Sequence, residues 1–135
     1  MRALIKHLYK DNALTFAIVI TISITYLSLS KVSSIIPVLE IKNGDKYQHL
    51  LAYFGMMMSW LFVSQKLNTK HISRLWAVMG VFLFGVLMEV LQQRLTTYRQ
   101  ADLYDVFANL SGIIIAYIVF EKLVFKEFKE FLCTP

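Results

Sequence analysis

Residues 75–91 read LWAVMGVFLFGVLMEVL, and this stretch decides the fold class. It carries no charge from Leu75 to Met88 and meets its first ionisable side chain at Glu89. A helix needs about 17–25 predominantly apolar residues to cross the hydrocarbon core of a membrane. The stretch therefore predicts a transmembrane helix.

Three further stretches have the same character, at about residues 13–29, 47–63 and 105–125. Together the four predict an all-α integral membrane bundle of four transmembrane helices with up-down topology, forming one domain over residues 1–135. The composition agrees, because 57% of the residues are hydrophobic and only 17% are charged. A soluble domain of this length cannot bury so much apolar surface. The net charge of +5 does not indicate nucleic acid, since no basic cluster falls on a soluble segment.

The distribution of basic residues predicts the orientation. The N-terminal segment, the loop between the second and third spans and the C-terminal tail hold nine Lys and Arg residues, whereas the other side holds five. Positive residues accumulate on the cytoplasmic side of membrane proteins. We therefore expect a multi-pass membrane protein with both termini in the cytoplasm and with the loops near residues 30–46 and 92–104 facing outward.

Polar side chains line one face of three spans, all at the outer end. They are spaced three or four residues apart, as neighbours on one helix face are. The three sets are Asp45, His49 and Tyr53; Glu89, Gln92 and Gln93; and Asp102, Asp105, Asn109 and Gly112. An ionised side chain in hydrocarbon costs roughly 2.5–3.5 kcal/mol on insertion scales, so Glu89 in particular is expected to face other helices. Up-down topology predicts that the three sets meet.

The spaced polar positions resemble those of the VanZ-like family of small bacterial membrane proteins. The resemblance rests on Lys46-x-x-His49-x-x-x-Tyr53, on Glu89-x-x-Gln92 and on Arg99-x5-Asp105-x3-Asn109-x-x-Gly112, in that order. It covers about residues 45–116. One departure is the segment QRLTTY at 93–98, where the family usually has a Pro-Gly turn before its Arg.

The resemblance implies a protein of the bacterial inner membrane that acts in the cell envelope, because the family is named after a protein that lowers susceptibility to the lipoglycopeptide teicoplanin. We expect the polar positions to bind a lipid-linked or anionic envelope component, with membrane lipids as partners. Arg99 is the best candidate for an anionic group, because its planar guanidinium binds phosphate through two hydrogen bonds. The expected ligand-binding residues are Lys46, His49, Tyr53, Glu89, Gln92, Arg99, Asp105 and Asn109.

Other interpretations of the same residues remain open. The charges could form an ion-pair network that only orients helices, with Lys46, Arg94 and Arg99 balancing the carboxylates. A membrane enzyme acting on a lipid phosphate or lipid-linked glycan would use His49 or Glu89 as its base. A proton-coupled transporter would need several copies to enclose a pathway.

No cofactor or metal is expected from the sequence. His49, Glu89 and Asp105 have side chains that suit divalent ions, but no sequence-local ligand motif supports a metal site. Aromatic residues near the span ends are interpreted as an interfacial belt. They are Tyr53, Trp60, Trp76, Tyr98 and Tyr104.

Overall fold

The computed structural model describes residues 12–30, 44–66, 71–96 and 102–124, and every regular element in these ranges is helical. The helices are α1 (Ala13–Leu29), α2 (Gly44–Lys66), α3 (His71–Leu95) and α4 (Leu103–Val119), and α4 continues as a π-helical turn over Phe120–Val124. The prediction of an all-α chain is confirmed for this part. Helices α2 and α3 extend beyond the predicted spans at both ends, because their polar flanking residues continue the helix.

Two of the described helices are long and apolar enough to cross a membrane, over Arg74–Leu95 and Leu103–Lys122. Helix α1 is apolar but shorter. Helix α2 does not join this group because polar residues such as Gln48, Ser59 and Gln65 lie along it. Large apolar side chains nevertheless point away from the core on all four helices. Examples are Ile22 on α1, Leu51 on α2, Leu83 on α3 and Phe107 on α4, each more than half exposed.

Side-chain contacts show that successive helices alternate in direction. The beginning of α2 meets the beginning of α4, where Lys46 bonds to Asp105. The end of α3 meets that same end of α2, where Glu89 approaches His49. Helices α2 and α4 thus run parallel to each other, and α3 runs antiparallel to both, so three of the polar-bearing helix ends lie together.

The core lies mainly between α2 and α4, which share the most extensive interface. Gly112 and Ala116 put small residues on the contacting face of α4, as their spacing predicts. A Cβ atom at Gly112 would lie 2.3 Å from the Leu50 carbonyl oxygen, so the two backbones touch there. Further along, the rings of Phe62 and Phe120 meet edge to face at 5.3 Å.

The opposite end of the bundle is held by a buried arginine. Arg74 is 5% exposed and pairs with Glu121 after α4. Its second guanidinium nitrogen donates to Gln65 of α2 at 2.9 Å. In the sequence, Arg74 is one of the basic residues of the loop between the second and third predicted spans. No pattern in the sequence links it to Glu121, since the contact joins different helices.

Candidate functional site

Lys46 is the centre of an ion cluster at the end of the bundle where α2 and α4 begin. Its ammonium lies 2.8 Å from Asp102, 3.0 Å from Asp105 and 3.2 Å from Asp45. An ammonium has three N–H donors, so these carboxylates use its full hydrogen-bonding capacity. The ammonium also lies 5.8 Å from the centroid of the Tyr104 ring, within cation–π range.

Asp102 has two tasks in this cluster. Its carboxylate accepts the Lys46 bond, and it caps the start of α4 by accepting a hydrogen bond from the Tyr104 backbone N–H at 2.9 Å. The bond from Lys46, followed by the one from Tyr104, holds the pKa of Asp102 below its usual range. The Asp102 carboxylate in turn raises the pKa of Lys46. Both groups lie outside the predicted spans, and both are charged at neutral pH.

His49 lies one helical turn deeper and touches three polar side chains. Its Nδ1 atom is 3.1 Å from the Asn109 side-chain oxygen and 3.6 Å from Glu89 Oε1. Its Nε2 atom is 3.8 Å from Asp105 Oδ2. A carbonyl oxygen can only accept, so the bond to Asn109 places a proton on Nδ1. In the neutral imidazole, Nε2 then keeps its lone pair on the side of Asp105.

These side chains are almost completely withdrawn from the surface. His49 and Asp105 are each 8% exposed, Glu89 is 4% and Asn109 is 2%. They come from three different helices, as the polar faces predict. The arrangement joins a base, two carboxylates and an amide within one small volume.

Tyr53 belongs to the core, and its interpretation as an interfacial residue is wrong. Its side chain is 1% exposed. The ring fits because residue 85 of α3 is a glycine. A Cβ atom at Gly85 would lie 3.0 Å from Tyr53 Cε1 and 3.5 Å from Asn109 Nδ2. The missing side chain of Gly85 thus leaves room for both groups. In contrast, Trp76 and Tyr104 are mostly exposed, as expected for a belt.

Gln92 is buried but binds elsewhere. Its amide nitrogen donates to the Ser28 carbonyl oxygen at 3.0 Å, which ties the end of α3 to the end of α1. Gln92 is therefore an expected site residue whose side chain bonds to α1. A second tie is the indole N–H of Trp60, which donates to Thr21 of α1 at 3.2 Å.

A cavity of about 300 Å³ connects this cluster with the gap between α1 and α2. Polar walls come from Ser28, Gln48 and His49, and the remaining wall is largely apolar. The apolar part is formed by Ile24, Leu27, Leu51 and Ala52, with Tyr53 beside His49. A larger cavity of about 470 Å³ has Thr21, Met56, Trp60 and Trp76 among its lining residues and includes none of the expected site residues.

Two of the expected basic residues do not complete the cluster in the described part of the chain. Arg94 is exposed at the end of α3 and forms no ion pair within the described ranges. Arg99 and Tyr98 lie outside the described residues. Within the described ranges, the ion pairs of this cluster made by a Lys or Arg are those of Lys46, whose single charge faces the three carboxylates of Asp45, Asp102 and Asp105.

A comparison with protein families decides the assignment of this chain. The model of the VanZ/LLP1 family matches residues 6–126. This chain belongs to the VanZ/LLP1 family. The match covers nearly the whole chain and includes every expected site residue. With the two candidate membrane-spanning helices, it indicates a membrane protein.

This chain is also similar to a curated protein from a fungus. That protein comes from the fission yeast Schizosaccharomyces pombe, is described as an uncharacterized protein (C11E3.10), and is 32% identical over 103 residues. The match covers 75% of this chain and 61% of the relative, so the yeast protein has further sequence outside the shared part. No solved structure matches this chain.

Proposed function

We propose that this VanZ/LLP1 protein spans the membrane four times and binds the headgroup of a lipid-linked or anionic envelope component at its buried polar cluster. The observation that supports the proposal best is the cavity between α1 and α2. Its apolar wall suits a hydrocarbon chain, and His49 stands at its polar end. Ligand cavities typically combine such walls with a few polar groups that fix orientation.

The outer surface of the bundle supports the four-span arrangement. Large apolar side chains on each described helix face outward, as lipid contact requires. The alternating helix directions place the ends with Lys46, Glu89 and Asp105 on one side. By the distribution of basic residues, that side is the outer one and both termini are cytoplasmic. The protein would then act on the outer leaflet of a cell membrane and affect susceptibility to lipoglycopeptides.

Within this proposal the polar residues have different tasks. Lys46 has all its donors on carboxylates, so it positions Asp105 and the start of α4. His49 lines the cavity and can bind a headgroup, and Asn109 contacts its ring from inside the bundle. Arg99 follows the end of α3 in the sequence and supplies a guanidinium for phosphate oxygens.

Native mass spectrometry of the purified full-length protein tests the proposal. The protein should retain a lipid that carries a phosphate or a glycan, and both His49→Ala and Arg99→Ala should reduce the retained fraction. Lys122→Gln is the matched control, since it changes an exposed charged side chain at the opposite end of the bundle. Equal lipid retention by all variants would contradict the proposal.

A membrane enzyme acting on a lipid phosphate or lipid-linked glycan is the second candidate function. It is favoured by the surroundings of His49, whose two ring nitrogens face Glu89 and Asp105 inside the bundle. A buried imidazole between carboxylates is suited to accept and return a proton. In that case His49 or Glu89 is the base, and Arg99 stabilises the anionic group.

A further inference from the structure

We propose that His49, Glu89 and Asp105 bind a divalent metal ion of the Mn²⁺ or Zn²⁺ type. One donor atom from each residue, an imidazole nitrogen or a carboxylate oxygen, lies within 4.8 Å of the other two. All three residues are buried. This inference goes beyond the proposed function, because it depends on these side chains and not on the identity of any lipid.

The donor atoms lie somewhat farther apart than they would around a bound ion. One ion can bind a single nitrogen of the His49 ring, and Nε2 lies 3.8 Å from Asp105 Oδ2, whereas Glu89 Oε1 lies 3.6 Å from Nδ1. Metal bonds to nitrogen and oxygen are about 2.0–2.2 Å long, which allows two ligands of one ion to lie up to about 4 Å apart. Since one donor atom of each residue lies within 4.8 Å of the other two, binding requires the Glu89 carboxylate to turn toward the nitrogen that holds the ion. Imidazole and carboxylates together favour Mn²⁺ or Zn²⁺ among common divalent ions.

Asn109 supplies an independent indication that something binds here. Its side chain is 2% exposed, and its Nδ2 atom has no hydrogen-bond partner within the described residues. A buried N–H group without an acceptor costs about 1–3 kcal/mol, so such groups are normally satisfied. An oxygen atom of a ligand or of a water molecule on the ion would provide the acceptor that the described residues do not supply.

The groups around the three ligands are arranged as supporting groups in metal sites usually are. The Asn109 oxygen lies 3.1 Å from His49 Nδ1, and this contact orients the ring so that Nε2 faces Asp105. Lys46 occupies Asp105 Oδ1, while Asp105 Oδ2 faces the imidazole. His49 also borders the cavity between α1 and α2, which gives the ion and its other ligands an approach.

The lack of a sequence-local motif does not count against such a site. The expectation of no metal rested on spacing along the chain, whereas these ligands come from α2, α3 and α4. A bound cation also changes what the cluster can recognise. It would offer positive charge to a phosphate oxygen at the place where Lys46 is already occupied by carboxylates.

Mn²⁺ titration of the full-length protein in detergent, followed by electron paramagnetic resonance, tests the site. Any polyhistidine tag is removed, and the protein is treated with a chelator and then freed of it. We expect saturable binding of a single Mn²⁺ per chain, competition by Zn²⁺ and a rise in Tm that the chelator reverses. His49→Ala, Glu89→Gln and Asp105→Asn should each weaken binding by more than about 100-fold, and Asn109→Ala by roughly 10- to 100-fold. Lys122→Gln, an exposed position at the opposite end of the bundle, should bind as the parent protein does.

Two results would overturn the metal site. One is the absence of saturable Mn²⁺ and Zn²⁺ binding to the parent protein, which would mean that His49 satisfies the carboxylates by holding a proton. The other is equal binding by the parent protein and the ligand variants, which would place the ion elsewhere. Because the parent protein is measured alone, a variant that fails to fold leaves the first test intact. Lipid retention that is unaffected by the chelator would support lipid binding that does not depend on a metal. Metal binding without lipid retention would support the metal site and contradict the proposed lipid-binding function.

Discussion

Gly112 of α4 rests directly on the backbone of Leu50 in α2, where a Cβ atom would lie 2.3 Å from the carbonyl oxygen. This backbone contact also fixes the position of the polar groups. Leu50 follows His49 in the sequence, and Gly112 lies one turn after Asn109. The helix register that brings Gly112 to Leu50 therefore also brings Asn109 to His49. The close packing of two helices thus determines which polar groups meet.

Replacing Gly112 by alanine should separate α2 from α4 and destabilise the protein. The methyl group would meet Leu50 backbone atoms, which cannot rotate away as a side chain can. We expect a loss of about 1–3 kcal/mol, as for other overpacked cores, measured as a lower Tm in detergent. Gly55→Ala is the matched control, because a Cβ there has nothing within 4 Å. It should leave stability unchanged or raise it by up to about 1 kcal/mol. Equal effects of the two changes would contradict this account of the interface.

Filling the cavity beside His49 should block lipid binding without unfolding the bundle. Ala52 lines that cavity, so Ala52→Phe puts a ring where a hydrocarbon chain would lie. Ala77→Phe makes the same change in the larger apolar cavity, away from the polar cluster. Lipid retention in native mass spectra should fall several-fold for Ala52→Phe and remain for Ala77→Phe. The opposite order would move the ligand to the larger cavity.

The sequence was sufficient to predict the helices and the end of the bundle where polar groups meet. Both follow from local patterns, since apolar runs reveal the helices and spacing of three or four residues reveals their polar faces. Contacts between side chains of different helices could not be predicted from these local patterns. The burial of Tyr53 depends on the missing side chain of Gly85, and the pairing of His49 with Asn109 depends on the helix register.

Two conservative substitutions separate binding from catalysis. If the cluster binds an anion, Arg99→Lys should impair function because the planar fork is lost while the charge stays. His49→Gln should be better tolerated, because an amide keeps much of the hydrogen bonding to Asn109. The measurement is lipoglycopeptide susceptibility of cells, with Tm recorded for each purified variant. Loss of function in His49→Gln at unchanged Tm, with Arg99→Lys nearly intact, would favour the enzyme instead, since glutamine cannot carry a proton near neutral pH.

The orientation in the membrane is testable without any ligand. Nine basic residues on one side against five on the other predict cytoplasmic termini. A reporter that is active only in the cytoplasm should work when it is fused after Pro135. A cysteine introduced at Asp102 should react with an impermeant thiol reagent added to intact cells. A reporter active only outside would contradict both the topology and the outward position of the cluster.

Photo-crosslinking with a lipid phosphate that carries a diazirine in its hydrocarbon chain tests the central claim most directly. The labelled residues are located by mass spectrometry of peptides from the full-length protein. The account predicts labelling at residues 24–28 and 48–53, the walls of the cavity beside His49, and loss of this labelling in Ala52→Phe. Labelling concentrated around Trp76 and Phe84 in the larger cavity, or spread evenly over outward residues such as Leu83 and Phe107, would contradict it.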